Sequence, residues 1–170
     1  MRILVIALII IINLILQSTL MQHLAIGGII PNTAIIIIVS YSLLRGKYEG
    51  AVCGIFSGLI HDILFGNSLG YFALLGLLVG YLCGRQTQNF YRENCILPIF
   101  PCIIVVFLYS FTIYFTSFLF NGDLNFIYFL NRGILPEAVY TALLSPFIYR
   151  LLFAINDWLE YKERYKHRLF

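Results

Sequence analysis

Apolar residues run in long blocks along this chain, and polar residues collect in the short breaks between them. Six blocks can be marked, at 3–20, 29–44, 50–65, 69–83, 96–120 and 134–155. A helix of roughly 20 mostly apolar residues is long enough to cross a bilayer. The pattern therefore predicts an all-α integral membrane protein, a six-helix transmembrane bundle. GNSLG at 66–70 reads as a tight turn between the third and fourth spans. Pro31 stands near the start of the second, where a missing N–H costs little. Two mixed outer segments, QSTLMQHLAIGG at 17–28 and NGDLNFIYFLNRG at 121–133, are expected to rest at the membrane surface. The first block follows one basic residue, Arg2, and no small-x-small cleavage site comes after it, so it reads as a retained span.

The third block has an internal period. Gly50, Gly54, Gly58, Asp62 and Gly66 recur every four residues with Ser57 and His61 beside them, while Ile55, Phe56, Leu59, Ile60, Ile63 and Leu64 fill the rest of the circumference. Gly70, Gly76, Gly80 and Gly84 continue the device through the fourth block, so that eight of the thirteen glycines fall within 50–84. In lipid, helices associate closely where small residues let their backbones approach. Each interior glycine costs about 1 kcal/mol against alanine. A tight hairpin of the third and fourth spans offsets that cost, and these nine positions form a predicted helix-packing or partner interface.

Asp62 lies one helical turn before Gly66, roughly 6 Å below the outer turn. A carboxylate facing lipid is costly, so it should point along the glycine face, toward another helix, water or a donor. Two roles stay open for it: a functional intramembrane acid, or a hydrogen bond that pins the 66–70 turn. With His61 and with Glu137 at the outer end of the sixth block it forms a possible polar outer-side site. Catalysis finds little support, although a catalytic pair of Asp62 and Glu137 is conceivable. Adjacent His61 and Asp62 diverge by about 100° on a helix and cannot chelate one metal. No G-x-S-x-G, H-E-x-x-H or P-loop is present. Glu137 follows Pro136, where an acid complements the helix dipole. No catalytic residue, metal or cofactor is expected.

Composition and charge agree with a lipid solvent. Hydrophobic residues make up 61% and charged residues 11%, against about a quarter charged in soluble domains. The net charge of +3 and the lack of a long basic run ahead of the C-terminus argue against nucleic acid as a partner. With six spans and the N-terminus inside, Arg2, Arg45, Lys47, Arg85, Arg92, Arg150, Lys162, Arg164, Lys166 and Arg168 fall on the cytoplasmic side. Only Arg132 falls outside. That asymmetry predicts both termini in the cytoplasm. The division expected is a six-span domain, 1–156, and a basic-aromatic cytoplasmic tail, 157–170, whose Trp158, Tyr161 and Tyr165 among Lys and Arg suit anionic headgroups. Cys53, Cys83, Cys95 and Cys102 lack ligand spacing and read as small apolar fillers.

The sequence PNTAIIIIVSYSLLRG at 31–46, the run GIFSGLIHDILFGNSLGYFALLGLLVGYLCG at 54–84 and ALLSPFIYRLL at 142–152 resemble the rod shape-determining protein MreD family. The distinctive core is Gly58, Leu59, Asp62, Gly66 and Gly70. The resemblance implies a noncatalytic, multi-pass protein of the bacterial cytoplasmic (inner) membrane. It would act in cell elongation and peptidoglycan synthesis, with MreC as direct transmembrane partner. MreB, RodA and the transpeptidase of RodA would be indirect partners. Relatives often carry Asp after the proline of the second span, where this chain has Asn32. The family is also similar in fold to the substrate-binding subunits of energy-coupling-factor vitamin transporters, which implies a rival function. Those subunits dock through an alanine-x-x-x-alanine face on the first helix, and here Ala7 is the only alanine of that helix.

Overall fold

The computed structural model describes residues 2–23, 25, 28–65, 70–85, 96–121 and 126–167. Among them the chain is all-helical. α1 (Arg2–His23), α2 (Thr33–Arg45), α3 (Lys47–Phe65), α4 (Tyr71–Arg85) and α5 (Ile99–Asn121) are followed by a one-turn α6 (Phe126–Phe129), a π-helical turn (Leu130–Ile134) and a long α7 (Leu135–His167).

α2 is the axis of the fold. Every side chain from Ile35 to Leu44 is buried, and the helix packs on α3, α4 and α7, with lesser contacts to α1 and α5. A helix that is apolar on all sides needs protein or lipid on all sides; here it has protein. It starts at Thr33, not at Ile29, because Asn32 caps it: the Asn32 Oδ1 accepts the Ile35 N–H at 3.2 Å. Pro31 thus sits just before the cap. Gly46, at a φ of +92°, ends α2 and alone links it to α3. That left-handed backbone is open to glycine at no steric cost.

The outer ends differ from the sequence pattern in informative ways. α1 runs on to His23, so the first part of the 17–28 segment is helical. The π-helical turn carries the Leu135 N–H to the Leu130 carbonyl, five residues back. Such a widened turn fits the position just ahead of Pro136, which has no N–H to give the ladder. The helical path from Phe126 therefore enters α7 directly. α7 passes through Pro146 and continues to His167 with no break at 156–157. At Pro146 the carbonyl of Ala142 loses its backbone donor, and the Ser145 hydroxyl replaces it at 2.8 Å.

One described helical stretch, Leu130–Lys162, is by itself long and apolar enough to cross a membrane; Val5–Thr19, Thr33–Arg45, Tyr71–Arg85 and Ile99–Phe115 are shorter apolar helices. The thirteen residues of α2 extend only about 20 Å. Exposed Leu, Ile and Phe line the outer faces of α1, α3, α4, α5 and α7 around an apolar core.

Candidate functional site

The α3–α4 hairpin is the tightest contact in the fold. A methyl group added at Gly54 would collide with the Gly76 carbonyl, and one at Gly76 with the Gly54 carbonyl. Gly50 and Gly80 oppose each other in the same reciprocal way, Gly58 meets Phe72 and Ala73, and Gly84 meets Gly46 and Lys47. The two backbones therefore touch along their whole length. The small-residue stripe is occupied within the chain, by the chain's own neighbouring helix. Gly70 lies in the turn into α4 at a φ of +99°. Gly66 lies outside the described residues.

Asp62 stands at the end of this seam nearest the start of α4 and is 1% exposed. Its Oδ2 accepts the N–H groups of Gly70, at 3.0 Å, and Ala73, at 3.1 Å, and its Oδ1 accepts the Phe72 N–H at 3.0 Å. The first-turn N–H groups of a helix have no partner within the helix, and here the carboxylate of the preceding helix supplies one. Its negative charge also complements the N-terminal dipole of α4. Asp62 is therefore spent on backbone.

His61, adjacent in sequence, points elsewhere, packing edge-on against Phe72 with ring centres 4.6 Å apart. Phe72 in turn meets Tyr109 of α5. Tyr109 is within electrostatic reach of both Asp62 and Glu137. His61, Asp62 and Glu137 thus share one end of the bundle, with Phe72 and Tyr109 packed among them.

Glu137 belongs to a second polar group built on α2. Its Oε2 accepts the Ser110 hydroxyl at 3.2 Å, and the Asn32 side chain is within hydrogen-bonding reach of the carboxylate. The Asn32 N–H donates to the Thr141 Oγ1 at 3.1 Å. One asparagine therefore caps α2 and ties it to α7, with α5 joined through Glu137. Sequence reasoning noted Asn32 only as a departure from the family. A polar cap residue after proline and before an apolar run was the available signal. Ser110 and Thr141 carried none.

Between these groups lies a cavity lined by Asn32, Ile35, Ser57, His61, Phe72 and Tyr109, with a volume of about 20 Å³. That is room for a water molecule.

A third polar group marks the opposite end, where Arg45 Nη1 lies 3.2 Å from Glu160 Oε1. The Asn156 amide donates to the same oxygen at 3.3 Å. Tyr41 donates to Glu49 at 2.9 Å nearby. This node joins α2 to the distal part of α7 and was not anticipated. Among the described residues no group of three His, Cys, Asp or Glu could hold a metal. Cys53, Cys83 and Cys102 are buried free thiols, and Cys95 lies outside the described residues.

No curated protein and no solved structure matches this chain. The family model for rod shape-determining protein MreD matches residues 1–155 of the 170. With the match covering all but the last turns of α7, this glycine-seamed, membrane-associated helical bundle belongs to the rod shape-determining protein MreD family.

Proposed function

We propose that the chain is a noncatalytic, multi-pass scaffold of the bacterial cytoplasmic membrane, with six spans and both termini inside. It holds MreC directly through transmembrane helix contacts. Through MreC it serves MreB, RodA and the transpeptidase of RodA in peptidoglycan synthesis during cell elongation. One observation carries this reading: three polar groups among the described residues fix helices to each other. Asp62 holds the start of α4, Asn32 and Glu137 tie α2, α5 and α7, and Arg45 with Glu160 ties α2 to α7. Among the described residues the outer faces of the helices they hold are largely apolar. Assembly is the chemistry such a surface performs, and membrane helices recognise one another by shape.

The rival reading, a vitamin-binding transporter subunit, needs an internal pocket of about 300–1,000 Å³. Among the described residues the cavity beside His61, at about 20 Å³, has room for a water molecule. Copurification of the intact chain from a detergent extract tests the two. A bitopic elongation protein in the complex supports the scaffold. Recovery of an ATP-driven coupling module, or a large thermal shift with one vitamin, overturns it.

A further inference from the structure

Two separate elements carry the same device at the same end of the bundle. On α7 the exposed stripe of Leu143, Phe147 and Leu151 runs toward Trp158 and Tyr161, which are 56% and 71% exposed. The Lys162 ammonium lies 4.8 Å from the centre of the Trp158 ring. At the α2–α3 corner Tyr48 is 73% exposed, and the Lys47 ammonium lies 5.0 Å from its ring centre.

Their relative depth is fixed by the Arg45–Glu160 ion pair. Lys47 follows Arg45 across the Gly46 corner and Lys162 follows Glu160 by about 3 Å of helix, so both aromatic–lysine pairs lie within about one turn of the ion pair. The same contact directs Glu160 toward Arg45 and Asn156, away from the ring of Trp158. Asp157 is also exposed on α7, and Arg150, exposed about 8 Å before Ile155, is within snorkelling reach of the cytoplasmic boundary.

The level matches a membrane boundary. From Leu135 to Ile155, α7 extends about 30 Å, the thickness of the hydrocarbon layer. Trp158 falls about 5 Å beyond that. Amphipathic rings favour the glycerol and phosphate layer over both hydrocarbon and bulk water. A lysine held beside such a ring has phosphate within reach.

We infer that Tyr48, Trp158 and Tyr161, with Lys47 and Lys162, form a docking belt for phospholipid headgroups of the cytoplasmic leaflet. The belt sets the depth at which the bundle sits. This rests on the membrane-spanning reading above, and the test separates the two.

Trp158 is the only tryptophan in the chain, so its fluorescence reports one site. The full chain is reconstituted in phosphatidylcholine–phosphatidylglycerol vesicles containing lipid quenchers placed near the glycerol or near the acyl-chain ends. The shallow quencher should act at least about twofold more strongly than the deep one, with little quenching by aqueous iodide, as an interfacial ring requires. Strong iodide quenching overturns the belt. So does stronger deep quenching, or a blue-shifted emission that no quencher reaches, which would mean burial against protein. A reference variant, Trp158→Phe with Phe147→Trp, places the probe on the exposed stripe of α7. Deep quenching there, together with failure at Trp158, sinks the belt alone. No lipid quenching at either position sinks the membrane-spanning reading itself.

Discussion

Asp62 and Ala73 face each other across the hairpin, the carboxylate of one helix accepting the backbone N–H of the next at 3.1 Å. Because Phe72 and Gly70 donate to the same group, both carboxylate oxygens act as acceptors. Asn supplies one such oxygen and puts an amide donor where the other stood; Ala supplies none. Asp62→Asn should therefore destabilise the chain by about 2 kcal/mol and Asp62→Ala by more, since buried N–H groups lose their partner. Thermal unfolding in detergent measures the order. Equal stability of all three forms would mean that the carboxylate does not hold α4.

The glycine seam predicts a sharp positional contrast. At Gly54 even Ala brings a methyl onto the Gly76 carbonyl, and backbone cannot rotate away as a side chain can. Gly54→Ala, Gly58→Leu and Gly80→Leu should each cost at least about 1–3 kcal/mol through overpacking and lower accumulation of folded protein. At Gly133, by contrast, an added methyl meets only the Phe129 ring, at 3.9 Å. Gly133→Ala should be neutral or stabilising by up to about 1 kcal/mol. Similar losses at Gly54 and Gly133 would contradict backbone contact between α3 and α4.

How far the sequence foretold this arrangement depended on whether a signal was local. Gly54 and Gly76 were legible because small residues four apart leave a trace within one helix. The inward placement of Asp62 followed from the cost of charge in lipid. Its recipients did not, because the N–H groups of Gly70, Phe72 and Ala73 belong to the backbone and have no signature in residue type. The run from Ile35 to Val39 reads the same whether lipid or protein surrounds it, so the central position of α2 stayed hidden. Arg45 and Glu160 stand 115 positions apart and meet only after folding. Counting Arg45 as a topological charge gave no hint of its partner. The π-helical turn before Pro136 was likewise missed, since the polar residues of 121–133 pointed to a surface segment.

Arg45 and Glu160 should behave as a coupled pair. The Arg45 side chain is 9% exposed and that of Glu160 27%, so removing one leaves a poorly solvated charge behind. Glu160→Leu, which leaves the nearly buried Arg45 charge uncompensated, should cost about 3 kcal/mol, and Arg45→Leu, which leaves the partly solvated Glu160, about 1 kcal/mol. Replacing both by Leu should recover a substantial part of the loss. A double-mutant cycle on thermal stability gives the coupling, expected at about 1–3 kcal/mol. Strict additivity would show that the contact does not hold the distal part of α7 against α2.

Asn32 and Glu137 make the most specific prediction. The Asn32 oxygen caps α2 through Ile35 while its side chain is also within hydrogen-bonding reach of Glu137, so the amide must be the donor in that second contact. Asn32→Asp keeps the capping oxygen and loses the donor. It also sets two carboxylates side by side, a pairing that disfavours ionisation of both. The substitution should destabilise the bundle by on the order of 2 kcal/mol, the cost of leaving a buried acceptor without its donor. Adding Glu137→Gln restores a donor between the two positions, now pointing the other way, and should recover at least half of the loss. Glu137→Gln alone removes a carboxylate acceptor from Ser110 and should be mildly destabilising. Unfolding of the three variants and the parent in one detergent decides it. Rescue in the double variant, set against losses in both singles, is the pattern required; a double variant as unstable as the sum of the two would show that Asn32 does not engage Glu137.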